Sequence, residues 1–280
     1  MRELAFYDGR IIDPNEPVIR INDRAYQFGD GVYEAWFLHQ GRQVLRAEHL
    51  ARFQRSAEAL ELLPTASTAQ LGLWADELVE RSGITEGMLY FQWSRGWQLP
   101  RNHIPAPSLV PVLSGFIKTV ARTDTPHPFA VRFHPDERQS FCHIKTLNLL
   151  GSVRAIAAAT REGFDDALLV RTIDGTPVVT EGTRTNAFAV KAGTLYTAPL
   201  GPYLLAGITR AKLLELAAGL GIPVVEAFQT PEFFSGADEV FFSSCTGLDP
   251  VVRIGISPVG AGVPGPVFGR LLGAYREFLG

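Results

Sequence analysis

The chain has 280 residues, of which 46% are hydrophobic and 20% are charged. Those proportions are typical of a soluble globular protein and exclude an intrinsically disordered one. A formal net charge of -3 argues against a general nucleic-acid binder, which needs a basic face to neutralise phosphates. No apolar stretch approaches the roughly 20 residues that span a bilayer, and the first residues lack a signal-peptide pattern, so we expect a cytoplasmic protein. Two cysteines are too few for a disulfide framework or a zinc cluster.

The first third of the chain alternates short strand patterns with two helical ones. Asp8-Gly9 and Gln40-Gly41 separate apolar segments in the way that hairpin turns do. Apolar residues then recur at helical spacing in two successive segments. We predict strands over residues 4–7, 10–12, 32–38, 43–45, 88–93 and 110–117, and helices over residues 48–63 and 71–82.

Residues 96–105 form an irregular, proline-containing loop between the last two of these strands. The loop carries Trp97, Arg101 and His103. Because binding residues are often presented on loops, a segment that is neither helical nor extended and carries such side chains is a better candidate for a site than for a spacer.

A polar stretch with two prolines, residues 119–128, is the predicted boundary between two domains. The boundary places an N-terminal domain over residues 1–118 and a C-terminal domain over residues 129–280. Each domain would need its own core, and the chain is long enough to build two.

The second domain repeats the order of hairpins and helices. Hairpin turns are predicted at Asp174-Gly175 and Ala192-Gly193. Further strands are predicted over residues 129–133, 224–227 and 239–242, and helices over residues 146–161, 209–220 and 267–279. Hairpins together with helices in each half indicate an α+β fold with prominent antiparallel sheets.

Lys145 is the first candidate for chemistry, because it lies among Ile and Leu residues at the predicted start of a helix. Loss of water around an ammonium group can lower a lysine pKa by up to ~3–5 units and leave a nucleophilic amine. The residues alone favour the simpler alternative, in which the lysine stem covers apolar surface and the charged end reaches water.

Glu181 ends a β-branched run and is followed by Gly182, which puts its carboxylate at the end of a strand. A carboxylate there could hold a positively charged ring nitrogen or pair with a neighbouring arginine. Solvated glutamates at turns are common, so this position alone is weak support for either role.

Two segments are suited to an anion. Ile208 and Thr209 follow Gly207 at the start of a helical pattern, where exposed N–H groups and the helix dipole favour a phosphate. Residues 243–247 are a small-residue loop after a strand. An ordinary helix cap and an ordinary turn explain both equally, and neither has the spacing of a Walker or Rossmann loop.

Several stretches, in order along the chain, resemble the pyridoxal-phosphate (PLP) enzymes of fold type IV, the class IV aminotransferases. The most similar branch of that family is the D-amino-acid aminotransferases. The densest matches are residues 23–34, 144–151, 180–188 and 205–210. The resemblance implies a two-domain α+β fold, PLP as the cofactor and a homodimer with shared active sites. It also implies transfer of an amino group between a D-amino acid and a 2-oxo acid.

The resemblance assigns the central roles to three residues. Lys145 would form the Schiff base with PLP and move the proton. Glu181 would pair with the pyridine nitrogen and keep it protonated, so that the ring accepts electrons from the substrate. Tyr33 would lie near the cofactor and the lysine, although a half-buried strand tyrosine is the default at such a position.

Four residues are implied for the phosphate. Arg52, on the exposed face of the first long helix, would grip it, and the backbone N–H groups of Ile208 and Thr209 would donate to it. Thr246 resembles the remaining contact, but a length difference around Gly247 departs from the family pattern. The alternative for Arg52 is a surface ion pair with Glu48, worth tenths of a kcal/mol.

The irregular loop carries the implied substrate site. Arg101 and His103 stand two apart and resemble the carboxylate-binding pair of the D-amino-acid enzymes. A guanidinium binds a carboxylate through two parallel hydrogen bonds, and an imidazole adds a donor. In the family this loop reaches the partner subunit's active site. The alternative is a surface arginine and a turn histidine.

Two residues depart from the family. Arg184 stands where a small hydroxyl residue is familiar, and His143 stands where an acidic one is. These departures leave the reaction class intact and put the substrate range in doubt. Three rival functions remain: a branched-chain L-amino-acid transaminase, an elimination of the aminodeoxychorismate lyase kind, which Arg184 keeps open, and a plain α+β binding protein. The first two share the cofactor chemistry, whereas the third needs no nucleophilic lysine.

Overall fold

The computed structural model describes residues 1–120 and 125–280, so the middle of the predicted linker lies outside the described residues. Contacts divide the chain into two units, one of Met1–Arg122 with Ile144–Asn148 and one of Thr123–His143 with Leu149–Gly280. The predicted division implies two domains that fold independently, residues 1–118 and 129–280, and it stays a prediction. In the described ranges no helix is both long and apolar enough to span a bilayer.

Within the described residues, the first unit contains a six-stranded antiparallel sheet in the order β2-β1-β6-β5-β3-β4. Its elements are β1 (Leu4–Tyr7), β2 (Arg10–Ile12), α1 (Arg24–Phe28), β3 (Gly31–His39), β4 (Arg42–Gln43), α2 (Arg46–Ala59), α3 (Thr68–Ser82), β5 (Gly87–Ser94) and β6 (Val112–Thr119). One cluster of buried side chains joins both long helices to the sheet, with Phe53 from α2, Leu78 from α3, and Trp36 and Phe91 from the strands. Burial of these large apolar side chains stabilises the unit.

The second unit contains a mixed sheet in the order β12-β11-β10-β13-β14-β7-β8-β9, with β15 on β14, counted over the described part of the chain. Its elements are β7 (Phe129–Pro135), α4 (Leu150–Arg161), β8 (Asp166–Ile173), β9 (Thr176–Gly182), β10 (Asn186–Lys191), β11 (Thr194–Thr197), α5 (Ile208–Gly219), β12 (Val224–Glu226), α6 (Pro231–Ser235), β13 (Glu239–Ser244), β14 (Gly247–Ile254), β15 (Ser257–Pro258) and α7 (Pro266–Leu279). Strand β7 pairs in parallel with β8 and β14, and α4 provides the crossover between β7 and β8 that a parallel pair requires.

The predicted hairpins are confirmed, and their turns share one backbone signature. Asp8 and Gly9 have φ angles of 46° and 85°, and Asp174 and Gly175 have 48° and 79°. Two successive residues of positive φ form the turn whose twist matches that of paired strands, and Asp-Gly tolerates it best. The α+β fold class is therefore correct.

Helix α4 begins at Leu150, so the predicted start at residue 146 was wrong. The segment before it is irregular, because its backbone hydrogen-bonds to β3 through the single bridge between Val32 and Thr146 and not along a helix. Leu147 N–H donates to Gly31 O at 3.0 Å, and Tyr33 N–H donates to Lys145 O at 2.9 Å. This pairing fixes the backbone on both sides of Lys145.

Helix α7 is capped from another element. Its N-cap residue, Gly265, has no side chain to accept the free N–H groups of the first turn. The buried carboxylate of Glu239, on β13, accepts them from Val267 at 2.9 Å and from Phe268 at 2.7 Å. A negative charge also favours the positive end of the helix dipole.

We expect Glu239→Ala to lower the free energy of unfolding by about 2–3 kcal/mol, because two buried N–H groups lose their acceptor. Urea denaturation measures the change. The control is Glu277→Ala at the exposed end of the same helix, which should shift stability by less than about 0.5 kcal/mol. Equal effects of the two substitutions would contradict the capping role.

Candidate active site

Lys145 is presented by the irregular segment that bridges to β3. Its backbone N–H donates to Ser56 Oγ of α2 at 3.2 Å, and its side chain is half-buried. The side-chain nitrogen Nζ lies over the ring of Tyr33, 4.2 Å from the ring centre. The structure therefore brings together two of the residues that the sequence singled out.

The surroundings of Lys145 differ from those of two other lysines. Lys191 Nζ donates to Gly236 O, and Lys212 Nζ donates to Glu215 Oε1 at 2.8 Å. The Lys145 amine instead faces an aromatic ring, which holds it weakly compared with a carboxylate. An amine that no carboxylate holds is suited to nucleophilic chemistry.

Tyr33 is held by a second tyrosine. Its ring stacks on Tyr90 with centres 5.4 Å apart, and the Tyr90 hydroxyl donates to Gln92 Oε1 at 2.9 Å. Burial raises the pKa of Tyr90, so that the supporting ring stays neutral. Tyr90, itself held by Gln92, thus supports the ring of Tyr33 beside the lysine.

Arg52 is buried, so its predicted place on the exposed face of the helix was wrong. The cause is Glu34, on β3, which accepts from Arg52 Nε at 2.9 Å and from Nη2 at 2.7 Å. His49 also contacts Glu34, through Nδ1 at 2.9 Å. The bidentate pair fixes the plane of the guanidinium group.

The buried charges of this group change their proton affinities. Burial by itself would raise the pKa of Glu34, but Arg52 and His49 outweigh it and hold the pKa well below its usual range. Burial also lowers the pKa of His49, although Glu34 opposes that shift. At neutral pH the group is therefore a carboxylate, a guanidinium and a neutral imidazole.

Glu181, in the second unit, is buried at the end of β9. Its carboxylate accepts from Arg138 Nη1, from Asn186 Nδ2 at 3.0 Å and from the Leu205 N–H at 3.3 Å. Burial raises the pKa of Glu181, and the Arg138 charge opposes the shift. A buried carboxylate with a raised pKa is suited to sharing a proton with a basic nitrogen.

Arg138 is in turn held by Asp136, with Nε 2.9 Å from Oδ1 and Nη2 3.0 Å from Oδ2. Burial disfavours the guanidinium charge, but Glu181 and Asp136 together raise the pKa of Arg138. Sequence reasoning missed Arg138 because no periodic pattern marks it. Asn186 had a signal, since it lies in the matched stretch that contains Glu181.

The start of helix α5 lies next to the hydrogen-bonded group of Glu181, Arg138 and Asn186. Its N-cap residue, Gly207, provides no side-chain cap, and Thr209 in the first turn is buried. A Cβ at Gly207 would collide with Asn186 Oδ1, so only glycine lets Asn186 reach Glu181. Asn186 Nδ2 also donates to Leu205 O at 3.0 Å, so Asn186 joins Glu181 to the segment that precedes the predicted anion site, Ile208 and Thr209.

Three observations in the second unit fit a bound PLP. The uncapped N-terminus of α5 suits a phosphate. The buried hydroxyls Thr185 Oγ1 and Ser243 Oγ have no hydrogen-bond partner within the described chain, so they can accept or donate to a ligand. A buried carboxylate, Glu181, can pair with a protonated ring nitrogen. The donor set matches a ring that carries a phosphate.

The remaining candidates are exposed. Thr246 lies in the turn after β13, where its Oγ1 is 2.8 Å from Ser244 Oγ. Arg184 is also exposed, and its charge acts on Asp166 and Asp249. Burial raises the pKa of both carboxyls, and Arg184 opposes each shift. His143 is exposed as well.

Arg101 and His103 are exposed on the loop between β5 and β6, and they meet at one aromatic ring. Arg101 Cζ lies 4.2 Å from the centre of Phe28, and the His103 ring centre lies 5.1 Å from it. The structure thus gathers the predicted carboxylate pair into one group. That group is distinct from the contacts of Lys145, which are with Tyr33 and Ser56.

Residues 31–254 match the family model of amino-transferase class IV, and the chain belongs to that family. Among curated relatives, the chain is 36% identical over 278 residues to the D-alanine aminotransferase of Staphylococcus haemolyticus, covering 98% of this chain and 97% of the relative. It is 35% identical over 264 residues to the D-alanine aminotransferase of Bacillus licheniformis, covering 93% and 92%.

Solved structures agree on the fold. The branched-chain amino acid aminotransferase of Escherichia coli superposes with a TM-score of 0.91 at 21% identity, covering 100% of this chain and 95% of that one. The branched-chain aminotransferase of Thermoproteus uzoniensis superposes with a TM-score of 0.87 at 24% identity, covering 99% and 94%. The predicted enzyme class, fold type and PLP dependence are confirmed by the family.

The buried group of Glu34, Arg52 and His49 should contribute to the stability of the fold. Glu34→Gln removes the charge that balances buried Arg52, so we expect a loss of about 3 kcal/mol at neutral pH in urea denaturation. The control is Glu77→Gln, whose exposed ion pair with Arg81 should cost less than about 1 kcal/mol.

The stability lost in Glu34→Gln should depend on pH. The folded-state pKa of Glu34 is lowered, so its stabilisation is complete above the unfolded-state pKa of about 4.3 and is lost as the pH falls below that value. The stability gap between wild type and Glu34→Gln should therefore narrow on acidification. A gap that widens below pH ~4 would contradict the assigned charges.

Proposed function

We propose that this chain is a D-amino-acid transaminase, which moves an amino group between a D-amino acid and a 2-oxo acid with PLP as cofactor. The family and the near-full-length D-alanine aminotransferases at 34–36% identity support the reaction. The observation that carries the proposal within the structure is the Lys145 amine, half-buried against Tyr33 and held by no carboxylate in the described chain. D-Alanine is the proposed amino donor.

The residues that would hold PLP divide by chemistry. Lys145 Nζ would bond to it covalently, as a Schiff base. Glu181 would share a proton with the ring nitrogen, and its hydrogen bonds from Arg138 and Asn186 keep the carboxylate in place. The proposed phosphate contacts are Arg52, Ile208, Thr209 and Thr246.

When bound, PLP supplies an aldehyde that takes up the amino group and a ring that withdraws electrons from the substrate Cα. Lys145 does the protein's part of the chemistry. Lys145 would serve as the base that takes the proton from the substrate Cα and as the acid that returns a proton later in the transfer. Tyr33 limits the paths open to Nζ, because its ring lies 4.2 Å away. Glu181 would keep the proton on the ring nitrogen.

Arg101 and His103 would bind the substrate carboxylate. The Arg101 guanidinium offers in-plane donors that match two carboxylate oxygens. We further propose a homodimer in which this loop serves the partner's site, as the resemblance implies. The cytoplasmic location suggested by the composition stays a prediction.

The first test is a half-reaction without amino acceptor. Bound PLP absorbs visible light while it is attached to lysine, and D-alanine should abolish that band as the cofactor takes the amino group. L-Leucine and aminodeoxychorismate should leave it unchanged, and Lys145→Ala should lack it. Conversion by L-leucine would favour a branched-chain transaminase, and pyruvate formation from aminodeoxychorismate would favour a lyase. A wild type that binds no PLP would contradict the proposal.

The second test addresses the shared site. Lys145→Ala and Arg101→Ala, each poorly active alone at low D-alanine, should regain activity when mixed and allowed to exchange subunits. Half of the dimers are then mixed and hold one intact site each, so the recovery approaches about a quarter of wild-type activity. No recovery, with exchange shown by a size-tagged subunit, would contradict a loop that acts across the dimer.

A further inference from the structure

Helix α1 presents two side chains to the loop that carries Arg101. The helix spans Arg24–Phe28, and its first and last residues are four apart, so they lie on the same face. Asp23 caps it by accepting from the Ala25 N–H at 2.8 Å, and Asp23 also accepts from Ser94 Oγ at 2.5 Å. The short helix is thereby tied to the end of β5.

Arg24 holds the backbone of the loop. It is buried, and its Nη1 and Nη2 donate to the carbonyls of Asn102 at 2.6 Å and His103 at 2.9 Å. Its Nε donates to Asp30 Oδ2 at 2.8 Å, and Arg95 Nε donates to both oxygens of the same carboxylate at 2.9 Å. Two successive loop carbonyls are thus fixed to a buried ion pair.

Phe28 holds the side chains of the loop. Its ring lies against Arg101, with Cζ 4.2 Å from the ring centre, and against His103, with ring centres 5.1 Å apart. Within the described residues, Arg101 makes no hydrogen bond or ion pair, so the ring is what orients it. A guanidinium above a ring uses its face and keeps its in-plane N–H donors for a carboxylate.

We infer that Phe28 is a positioning residue for the substrate carboxylate site, acting through Arg101 while Arg24 fixes the loop backbone. The inference rests on the proposed function, in which Arg101 binds that carboxylate. A free arginine samples many rotamers, and substrate binding must then order it. The ring of Phe28 orders it in advance, so the ring contributes to substrate affinity rather than to the chemical step.

The experiment measures KM and kcat for D-alanine in wild type, Phe28→Leu, Phe28→Tyr, Arg101→Ala and the double variant Phe28→Leu/Arg101→Ala. We expect Phe28→Leu to raise KM about 3- to 10-fold, as for loss of a cation–π contact, with kcat within about twofold. Phe28→Tyr keeps the ring and should restore KM. In the Arg101→Ala background, Phe28→Leu should raise KM by less than about twofold, because its effect passes through Arg101.

Two controls separate positioning from general damage. Phe278→Leu removes a comparable contact, with Lys212 Nζ 4.3 Å from its ring centre, in the second unit, and should leave KM unchanged. Phe28→Met, which also lacks the ring, replaces Phe28→Leu if the latter fails to fold in a thermal melt.

Each outcome decides a different claim. The inference is overturned if Phe28→Leu leaves KM unchanged, or if Phe28→Leu raises KM by the same factor in the Arg101→Ala background as in wild type. Either result leaves the transaminase proposal intact. An unchanged KM in Arg101→Ala overturns the carboxylate assignment, and the inference with it. A wild type that leaves D-alanine unreacted overturns the proposed function itself.

Discussion

Buried arginines paired with carboxylates are the interaction on which the candidate residues of each unit depend. A buried charge without a partner costs several kcal/mol, so each of these arginines requires its anion. In the first unit Arg52 is fixed by Glu34. In the second, Arg138 lies between Asp136 and Glu181. The net charge of the chain is only -3, so its overall electrostatic field does not attract an anionic ligand. Binding of such a ligand would depend on a few individual cationic side chains and N–H groups.

The amine proposed to react, that of Lys145, is held by no carboxylate within the described chain. Lys145 lies on a segment whose backbone is hydrogen-bonded to β3 and to Ser56, and its Nζ lies over the ring of Tyr33. Arg52, proposed to bind the phosphate, is therefore fixed by a buried ion pair, whereas the amine proposed to react faces only an aromatic ring. That division suits a proton carrier, which must reach two positions during one turnover. The same logic extends to Arg101, which a ring orients without occupying its donors.

Local patterns predicted much of the fold, and long-range contacts account for what they missed. Asp8-Gly9 predicted its hairpin because the positive φ of its turn is a property of those residues. Helix α1 went undetected because five residues are too few to show a period. The helical pattern could not show that Arg52 is buried, since its partner Glu34 lies 18 residues earlier on a strand. Arg138 and Glu181 are 43 residues apart and had no shared signal, so the sequence marked Glu181 but not the arginine that holds it.

The central claim is that Lys145 carries the cofactor, and covalent mapping tests it most directly. Borohydride reduces a lysine–PLP bond to a stable pyridoxyl label, which peptide mass spectrometry locates. The account predicts a label on Lys145, and none on Lys191 or Lys212, whose amines are bound to a carbonyl and a carboxylate. A label on another lysine, or an unlabelled protein after saturation with PLP, would contradict the account.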